Sequence, residues 1–138
     1  MPKKIELSLD GTTAIAVLHE QEAPRAVQKF WDALPLEAAI RHVRWSGSAG
    51  YILSAALRDP ALPLENRTSF YHPGTLNLRP EHGEIAIAYG PAQARDGTGM
   101  GWASHVASLE GDASAFLQAV ERTQHAGKRQ LAIKRRES

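Results

Sequence analysis

The 138-residue sequence contains no cysteine. This absence excludes a thiol nucleophile, a disulfide framework, an iron–sulfur cluster and any zinc site built on thiolates. A chain without disulfides suits a reducing compartment, so the sequence predicts a cytoplasmic location.

Long apolar runs and an excess of one charge are also missing. No stretch approaches the roughly 20 apolar residues that a membrane helix needs. The basic start of the chain leads into an alternating segment with Glu6 and Asp10, which is not the pattern of a secretory signal. With 16 basic and 15 acidic residues, the charge is too balanced to favour nucleic acid or an anionic membrane as the partner.

What is present is the composition of one folded domain, with 43% hydrophobic and 22% charged residues. A chain of this length buries enough surface to fold without a structural metal. No linker, internal repeat or low-complexity tract interrupts it, so we expect a single domain over residues 1–138.

Apolar periodicity predicts two helices and about eight short strands. The alternation of Ile5, Leu7 and Leu9 indicates a half-buried strand, and Asp10-Gly11 is a common hairpin turn. Apolar residues recur at helical spacing over 23–34 and 114–126; Asp112 is the expected N-cap of the second helix. The predicted strands are 5–9, 13–18, 38–45, 51–57, 75–79, 84–89, 102–109 and 131–133, with turns at 46–50 and 72–74, a short strand at 68–71, and a mobile glycine-rich loop over 90–101.

This order of elements does not alternate strand and helix, which argues against a parallel doubly wound sheet. Eight strands in an open sheet would expose two edges, whereas closure removes them. The sequence therefore predicts a mainly β fold, a closed eight-stranded antiparallel barrel capped by two α-helices.

Several segments resemble known proteins of this architecture. The stretch 22–34 (EAPRAVQKFWDAL) resembles the first helix of cyclophilin-type barrels. The chain as a whole, from about residue 5 to 133, resembles a bacterial family of cyclophilin-like proteins of unknown function, and this resemblance implies the same closed barrel. The motifs that carry it are 30–35 (FWDALP), 42–47 (HVRWSG), 72–74 (HPG), 83–90 (GEIAIAYG) and 109–111 (LEG).

The resemblance leaves the activity open. Cyclophilins hold a prolyl peptide with an Arg, a Phe-x-x-Gln segment, an aromatic residue and a His, whereas Arg44 is followed here by WSGSAG. The isomerase pattern is therefore missing. The barrel is also similar to the synthases that make cucumopine or mikimopine by condensing histidine with a keto acid without a cofactor, but none of their catalytic residues is identified on this chain.

Aromatic and basic residues gather near the ends of the predicted strands, where barrels carry ligand sites. We predict that Arg44 grips a carboxylate through two parallel hydrogen bonds. The alternative is a salt bridge of Arg44 with Glu84 or Glu37, with the aromatic residues filling the barrel. The remaining predicted binding residues are Trp45, Tyr51, Tyr71, Tyr89 and Trp102.

Three residues are candidate proton-transfer groups. His72 and His105 titrate near neutral pH, and Glu84 joins them if burial raises its pKa. The alternative is that all three are idle surface groups. No pair of histidines lies at helical i, i+4 spacing, and the glycines at 97–101 do not form a dinucleotide fingerprint, so the sequence predicts neither a metal nor a cofactor.

Three functions follow. The first is a barrel that binds, and converts without a cofactor, a small carboxylate-bearing metabolite. The second is a prolyl isomerase or a proline-peptide binder, and the third is a non-enzymatic interaction module whose aromatic residues form an interface. The expected partners are a small-molecule ligand and a second copy of the chain in a homo-oligomer.

Overall fold

The computed structural model describes residues 2–136 and is mainly β. Two α-helices, α1 (Pro24–Asp32) and α2 (Ser114–Ala126), and one turn of 3-10 helix (Ala55–Leu57) accompany the strands. Within these residues, no helix is both long and apolar enough to cross a membrane. The strands are β1 (Lys4–Leu9), β2 (Thr12–Leu18), β3 (Leu36–His42), β4 (Gly47–Leu53), β5 (Arg67–Thr68), β6 (Phe70–Tyr71), β7 (Thr75–Arg79), β8 (Glu84–Gln93), β9 (Arg95–Asp96), β10 (Gly99–Met100), β11 (Ala103–Glu110) and β12 (Arg129–Arg135).

Eight of these strands close into the predicted barrel. Their order is β2–β1–β12–β3–β4–β8–β7–β11, and β11 pairs again with β2. Every pairing is antiparallel. The β1–β2 hairpin turns at Asp10 and Gly11, both with positive φ, as the Asp-Gly pair predicts. The fold predicted from the sequence is confirmed.

One apolar cluster fills the barrel and extends beneath both helices. All eight barrel strands contribute to it, and Phe30 of α1 and Phe116 of α2 are fully buried in it. Helix α2 lies close to β4 at Gly50, where a Cβ atom would stand 2.9 Å from Ile40 and 3.0 Å from Val120. Asp112 does accept a hydrogen bond from the Ser114 amide, but the N-cap position itself is Ala113.

A second, smaller apolar cluster lies on the outside of the barrel. Successive side chains of a strand point to opposite faces. In β8, Ile85 and Ile87 face the interior, whereas Ala86 and Ala88 face outward and pack under Tyr71. The small outward residues leave room for chain segments to cover this face. The other members of the outer cluster are Ala49, Ala92, Ala94 and Ala103.

Besides the N-cap of α2, three predicted segments differ from the structure. The turn predicted at 46–50 lies at 43–46, and β4 begins at Gly47. The strand predicted over 51–57 ends at Leu53, since the Ser54 hydroxyl accepts from the Ala56 amide and starts the 3-10 turn. The loop predicted over 90–101 contains the end of β8 and the β9–β10 hairpin. At Gly90 the absence of a side chain allows contact with Ser48, so the glycine serves strand pairing rather than mobility.

Candidate functional site

A pocket of about 660 Å³ opens on the outer face of the barrel. Its floor is the outer side of β4, β7 and β8. Its walls are the β3–β4 turn, the β7–β8 turn, the segment after the 3-10 turn and the β9 strand. The lining residues are Val43, Arg44, Trp45, Ser46, Tyr51, Leu53, Arg58, Arg79, Glu81, His82, Glu84, Arg95 and Asp96.

The register of the sheet aligns the floor residues. Glu84 on β8 lies between Leu53 on β4 and Arg79 on β7, as the directly opposed residue on each side. Tyr51 pairs with Ala86, two positions along the same face. The floor therefore combines the carboxyl of Glu84, the guanidinium of Arg79 and the side chains of Tyr51 and Leu53, all on barrel strands.

Arg79 is the buried cation of the pocket, with only 5% of its side chain exposed. Its Nη1 donates to the Arg95 carbonyl at 3.3 Å and its Nη2 donates to Asp96 at 3.4 Å. Glu81 lies 3.5 Å from Nε, yet Nε has no hydrogen-bond partner in the described structure. A buried donor without a partner is costly, and an acceptor that took the place of Glu81 at a shorter distance would satisfy it.

Gly101 makes the space that Arg79 occupies. A Cβ atom at this position would overlap Nη2 of the guanidinium and lie 3.1 Å from its Cζ. The chain reaches this place because the segment after β8 turns back over the outer face. Its Ala94 amide donates to Ser69 O at 2.7 Å, and the Gly101 amide donates to Ala94 O, also at 2.7 Å.

Glu84 is a partly buried carboxyl with a perturbed pKa. Burial raises its pKa above the usual range, and the positive charge of Arg79 opposes that increase only in part. A carboxyl that retains its proton at higher pH than usual can donate it to a ligand or accept one from it. Glu84 is therefore the titratable group on the floor that suits proton transfer.

Arg44 and Trp45 lie at the mouth of the pocket, in the β3–β4 turn. Both are exposed, with Trp45 53% exposed. The ion pairs found among residues 2–136 do not include Arg44, so the alternative of a salt bridge with Glu84 or Glu37 is not what the structure shows.

Tyr71 lies behind the pocket rather than on its surface. Its ring belongs to the outer apolar cluster, and its hydroxyl is buried without a hydrogen-bond partner among the described residues. Burial, followed by the negative charge of Glu84, raises the pKa of the Tyr71 hydroxyl. The group therefore stays neutral next to Glu84 and Arg79.

The other predicted site residues lie elsewhere. Tyr89 packs against the barrel interior, and its hydroxyl is 2.7 Å from His42 Nε2. His105 forms an edge-to-face contact with His19, with 4.7 Å between the ring centroids, and its Nε2 is 3.2 Å from Ser108 Oγ. The structure therefore does not bring these two residues to the pocket.

The last two predicted residues are exposed. His72 is in the turn before β7, and Trp102 is 43% exposed beneath the guanidinium of Arg67, 4.9 Å from the ring centroid. Neither is among the residues that line the pocket. Of the predicted residues, the pocket brings together Arg44, Trp45, Tyr51 and Glu84.

Sequence reasoning missed Arg79, although one signal was available. Thr75, Asn77 and Arg79 occupy one face of a strand whose other face is Leu76 and Leu78. A polar face that ends in Arg predicts exposure to solvent, yet all five residues of β7 are buried. A polar face buried on the outside of a barrel marks a covered surface or a site.

The charged groups of the pocket do not form a metal centre. Among the described residues, no group of three or more His, Asp or Glu side chains is arranged to hold an ion. Hydrogen bonds from Thr98, together with Arg79, lower the pKa of Asp96 to about 2. Asp96 therefore acts as a fixed anion that links the β9–β10 hairpin to Arg79.

Comparison with solved structures supports the fold. The structure is similar to that of McbB in complex with tryptophan, with a TM-score of 0.78 and 20% sequence identity over 97% of this chain. The match covers 45% of the McbB chain, so the present chain spans less than half of that protein. It is also similar to the solution structure of the hypothetical protein AF2241 from Archaeoglobus fulgidus, with a TM-score of 0.67 and 14% identity over 98% of this chain and 95% of that one.

At the level of sequence, no curated protein matches the chain. A family model does match, over residues 5–134, and its description is "Protein of unknown function (DUF3830)". This match covers nearly the entire sequence and includes every strand and helix of the barrel except the ends of β1 and β12. The chain therefore belongs to the DUF3830 family.

Proposed function

We propose that the outer-face pocket binds a small carboxylate-bearing metabolite. The observation that carries the proposal is Arg79, a guanidinium that lines the pocket and whose protein partners all lie at the long distances of 3.3 to 3.5 Å. Its two ion-pair partners, Glu81 and Asp96, are partly exposed and lie 3.5 and 3.4 Å away. A ligand carboxylate that displaces the partly exposed Glu81 from this guanidinium could make shorter hydrogen bonds to it.

The other walls suit an organic molecule rather than a bare ion. Val43, Trp45, Tyr51 and Leu53 supply apolar and aromatic surface opposite the charged groups. A volume of about 660 Å³ lies within the range of small-molecule sites. Tryptophan, which McbB holds in its complex, is a carboxylate with an aromatic body, and this supports the same class of ligand here.

Glu84 gives the pocket a means of converting its ligand. It is opposite Arg79 in the register, so a carboxylate held by Arg79 would place its neighbouring carbon atoms near Glu84. A carboxyl with a raised pKa can move a proton at such a carbon or at an attached nitrogen. This chemistry needs no cofactor.

Titration calorimetry with a panel of keto acids and amino acids tests the proposal. Arg79→Lys keeps the charge but loses the planar fork, and we expect it to weaken binding at least tenfold. The matched control is Arg122→Lys, on the exposed face of α2, which should leave binding unchanged. If no acid in the panel binds the wild type, or if the two variants behave alike, the proposal is wrong.

Tryptophan fluorescence locates the ligand. Trp45 lines the pocket, whereas Trp102 does not. We expect the ligand to change the emission of the wild type and of Trp102→Phe, but not of Trp45→Phe. A response that survives in Trp45→Phe and disappears in Trp102→Phe would place the ligand on a different surface.

A further inference from the structure

Arginines from four segments line the outer-face pocket. Arg79 lies on the floor, and three exposed arginines surround it: Arg44 in the β3–β4 turn, Arg58 after the 3-10 turn and Arg95 on β9. The ion pairs found among residues 2–136 include none of these three. We call Arg44, Arg58 and Arg95 the rim arginines.

The backbone of each rim segment is fixed to the barrel or to its floor. Next to Arg58, the Asp59 amide donates to Pro80 O at 2.8 Å. The carbonyl of Arg95 accepts from Arg79 itself. In the turn that carries Arg44, Ser46 O accepts from the Gln93 amide at 2.8 Å. The backbone of each of the three arginines therefore has a defined position around the floor of the pocket.

The glycine at position 83 strengthens the tether at Arg58. A Cβ atom there would overlap the carbonyl of Ser54 and stand 3.1 Å from the Arg58 backbone nitrogen. The β7–β8 turn and the Arg58 segment are thus in direct backbone contact. A tight approach of this kind holds the Arg58 side chain beside the end of the pocket where Glu84 begins its strand.

The carboxyl groups of the pocket lie at Arg79 rather than at the rim. The pocket has four arginines against three carboxyl groups. Glu81 and Asp96 form ion pairs with Arg79, and Glu84 is opposite Arg79 in the sheet register. The rim arginines therefore create a positive potential at the mouth that a carboxylate bound at Arg79 alone would not contact.

We infer that the pocket takes a ligand with two anionic groups, one on Arg79 and the other on the rim arginines. This inference rests on the proposed function and names its ligand class: a dicarboxylate, or a carboxylate that also carries a phosphate. Guanidinium groups bind both kinds of anion through paired N–H donors. The apolar wall at Tyr51 and Leu53 then contacts the carbon chain between the two charges.

The test compares acids of equal length that differ in the second charge. Calorimetry at low salt measures the binding of pentanoate, glutarate and 4-phosphonobutanoate to the wild-type protein. We expect glutarate to bind at least tenfold more tightly than pentanoate, with a steeper loss of affinity as salt is raised. Tighter binding of the phosphonate than of glutarate would support the inference and assign the second group as a phosphate.

Substitutions of the rim arginines show which of them bind the second anionic group of the ligand. Arg58→Gln and Arg95→Gln should each reduce the ratio of glutarate to pentanoate affinity by threefold or more. Arg122→Gln on α2 is the matched control and should preserve the ratio.

Equal affinities for glutarate and pentanoate in the wild type would overturn the two-anion inference and leave the proposed function standing. A ratio that is insensitive to both rim variants would also overturn it. If no monocarboxylate or dicarboxylate binds at all, the proposed function itself fails.

Discussion

Replacing Gly101 with alanine tests whether the buried guanidinium needs the space that this glycine leaves. The added methyl group would overlap Nη2 of Arg79. Non-bonded heavy atoms pack about 3.5 Å or more apart, so the guanidinium must retreat from its place. Because Nη1 and Nη2 are both held by hydrogen bonds and only 5% of the side chain is exposed, the shift lengthens the hydrogen bond to the Arg95 carbonyl, which is already 3.3 Å long.

The size of the effect follows from that bond. A hydrogen bond with a charged donor contributes about 1.5 to 3 kcal/mol. Alanine in place of glycine recovers about 0.4 to 1 kcal/mol by restricting the unfolded chain. We therefore expect Gly101→Ala to lower the free energy of unfolding by about 0.5 to 2.5 kcal/mol, which corresponds to a Tm lower by about 2 to 10 °C. Binding of a carboxylate ligand should weaken in parallel.

Gly97→Ala is the matched control in the same hairpin. A Cβ atom at Gly97 would meet nothing within 4 Å, and neither Gly97 nor Gly101 has a positive φ. Thermal unfolding should show Gly97→Ala equal to or slightly above the wild type. If the two variants have the same Tm and the same ligand affinity, the reasoning about Arg79 is refuted.

Three further predictions concern other parts of the fold. Burial, and then the charge of His19, holds the pKa of His105 below its usual range, so the folded state resists protonation. Stability should therefore fall as pH decreases from 7 towards 5, and urea titrations should show a smaller fall in His105→Asn; an equal fall would exclude His105 as the cause. Glu65 accepts from the first amides of α1, at Arg25 and Ala26, with distances of 2.7 and 2.9 Å. Glu65→Ala should cost about 0.5 to 2 kcal/mol in thermal unfolding, and an unchanged Tm would contradict this capping role. The protein should not accelerate prolyl cis–trans exchange, because the isomerase pattern is missing; an acceleration of about 100-fold that Arg44→Ala abolishes would overturn this expectation.

The barrel could be predicted from the sequence because its signals are local. The alternation of Ile5, Leu7 and Leu9, the Asp10-Gly11 turn and the helical spacing over 114–126 each specify an element without reference to the rest of the chain. Closure then follows from the need to cover sheet edges. The β3–β4 turn was misplaced because Gly47 and Gly50 look like turn residues, whereas Gly50 serves close packing against α2.

The pocket could be predicted only in part because its key contacts are not local. Arg44 and Trp45 stand out in the sequence as a basic and an aromatic residue near the end of a strand. Arg79 does not, since its burial depends on the register with Glu84 and on the return of the segment that ends at Gly101. The irregular pairing of β11 at His105 likewise sends that residue to His19 rather than to the pocket.

The inward and outward side chains of β8 have different surroundings. Ile85 and Ile87 belong to the barrel interior, Glu84 lines the pocket, and Ala86 and Ala88 belong to the outer apolar cluster. A substitution at Glu84 therefore changes the pocket without opening a void in the interior. The backbone of such a scaffold can persist while its sequence diverges, as the solved structures that share this barrel at 14 to 20% identity show.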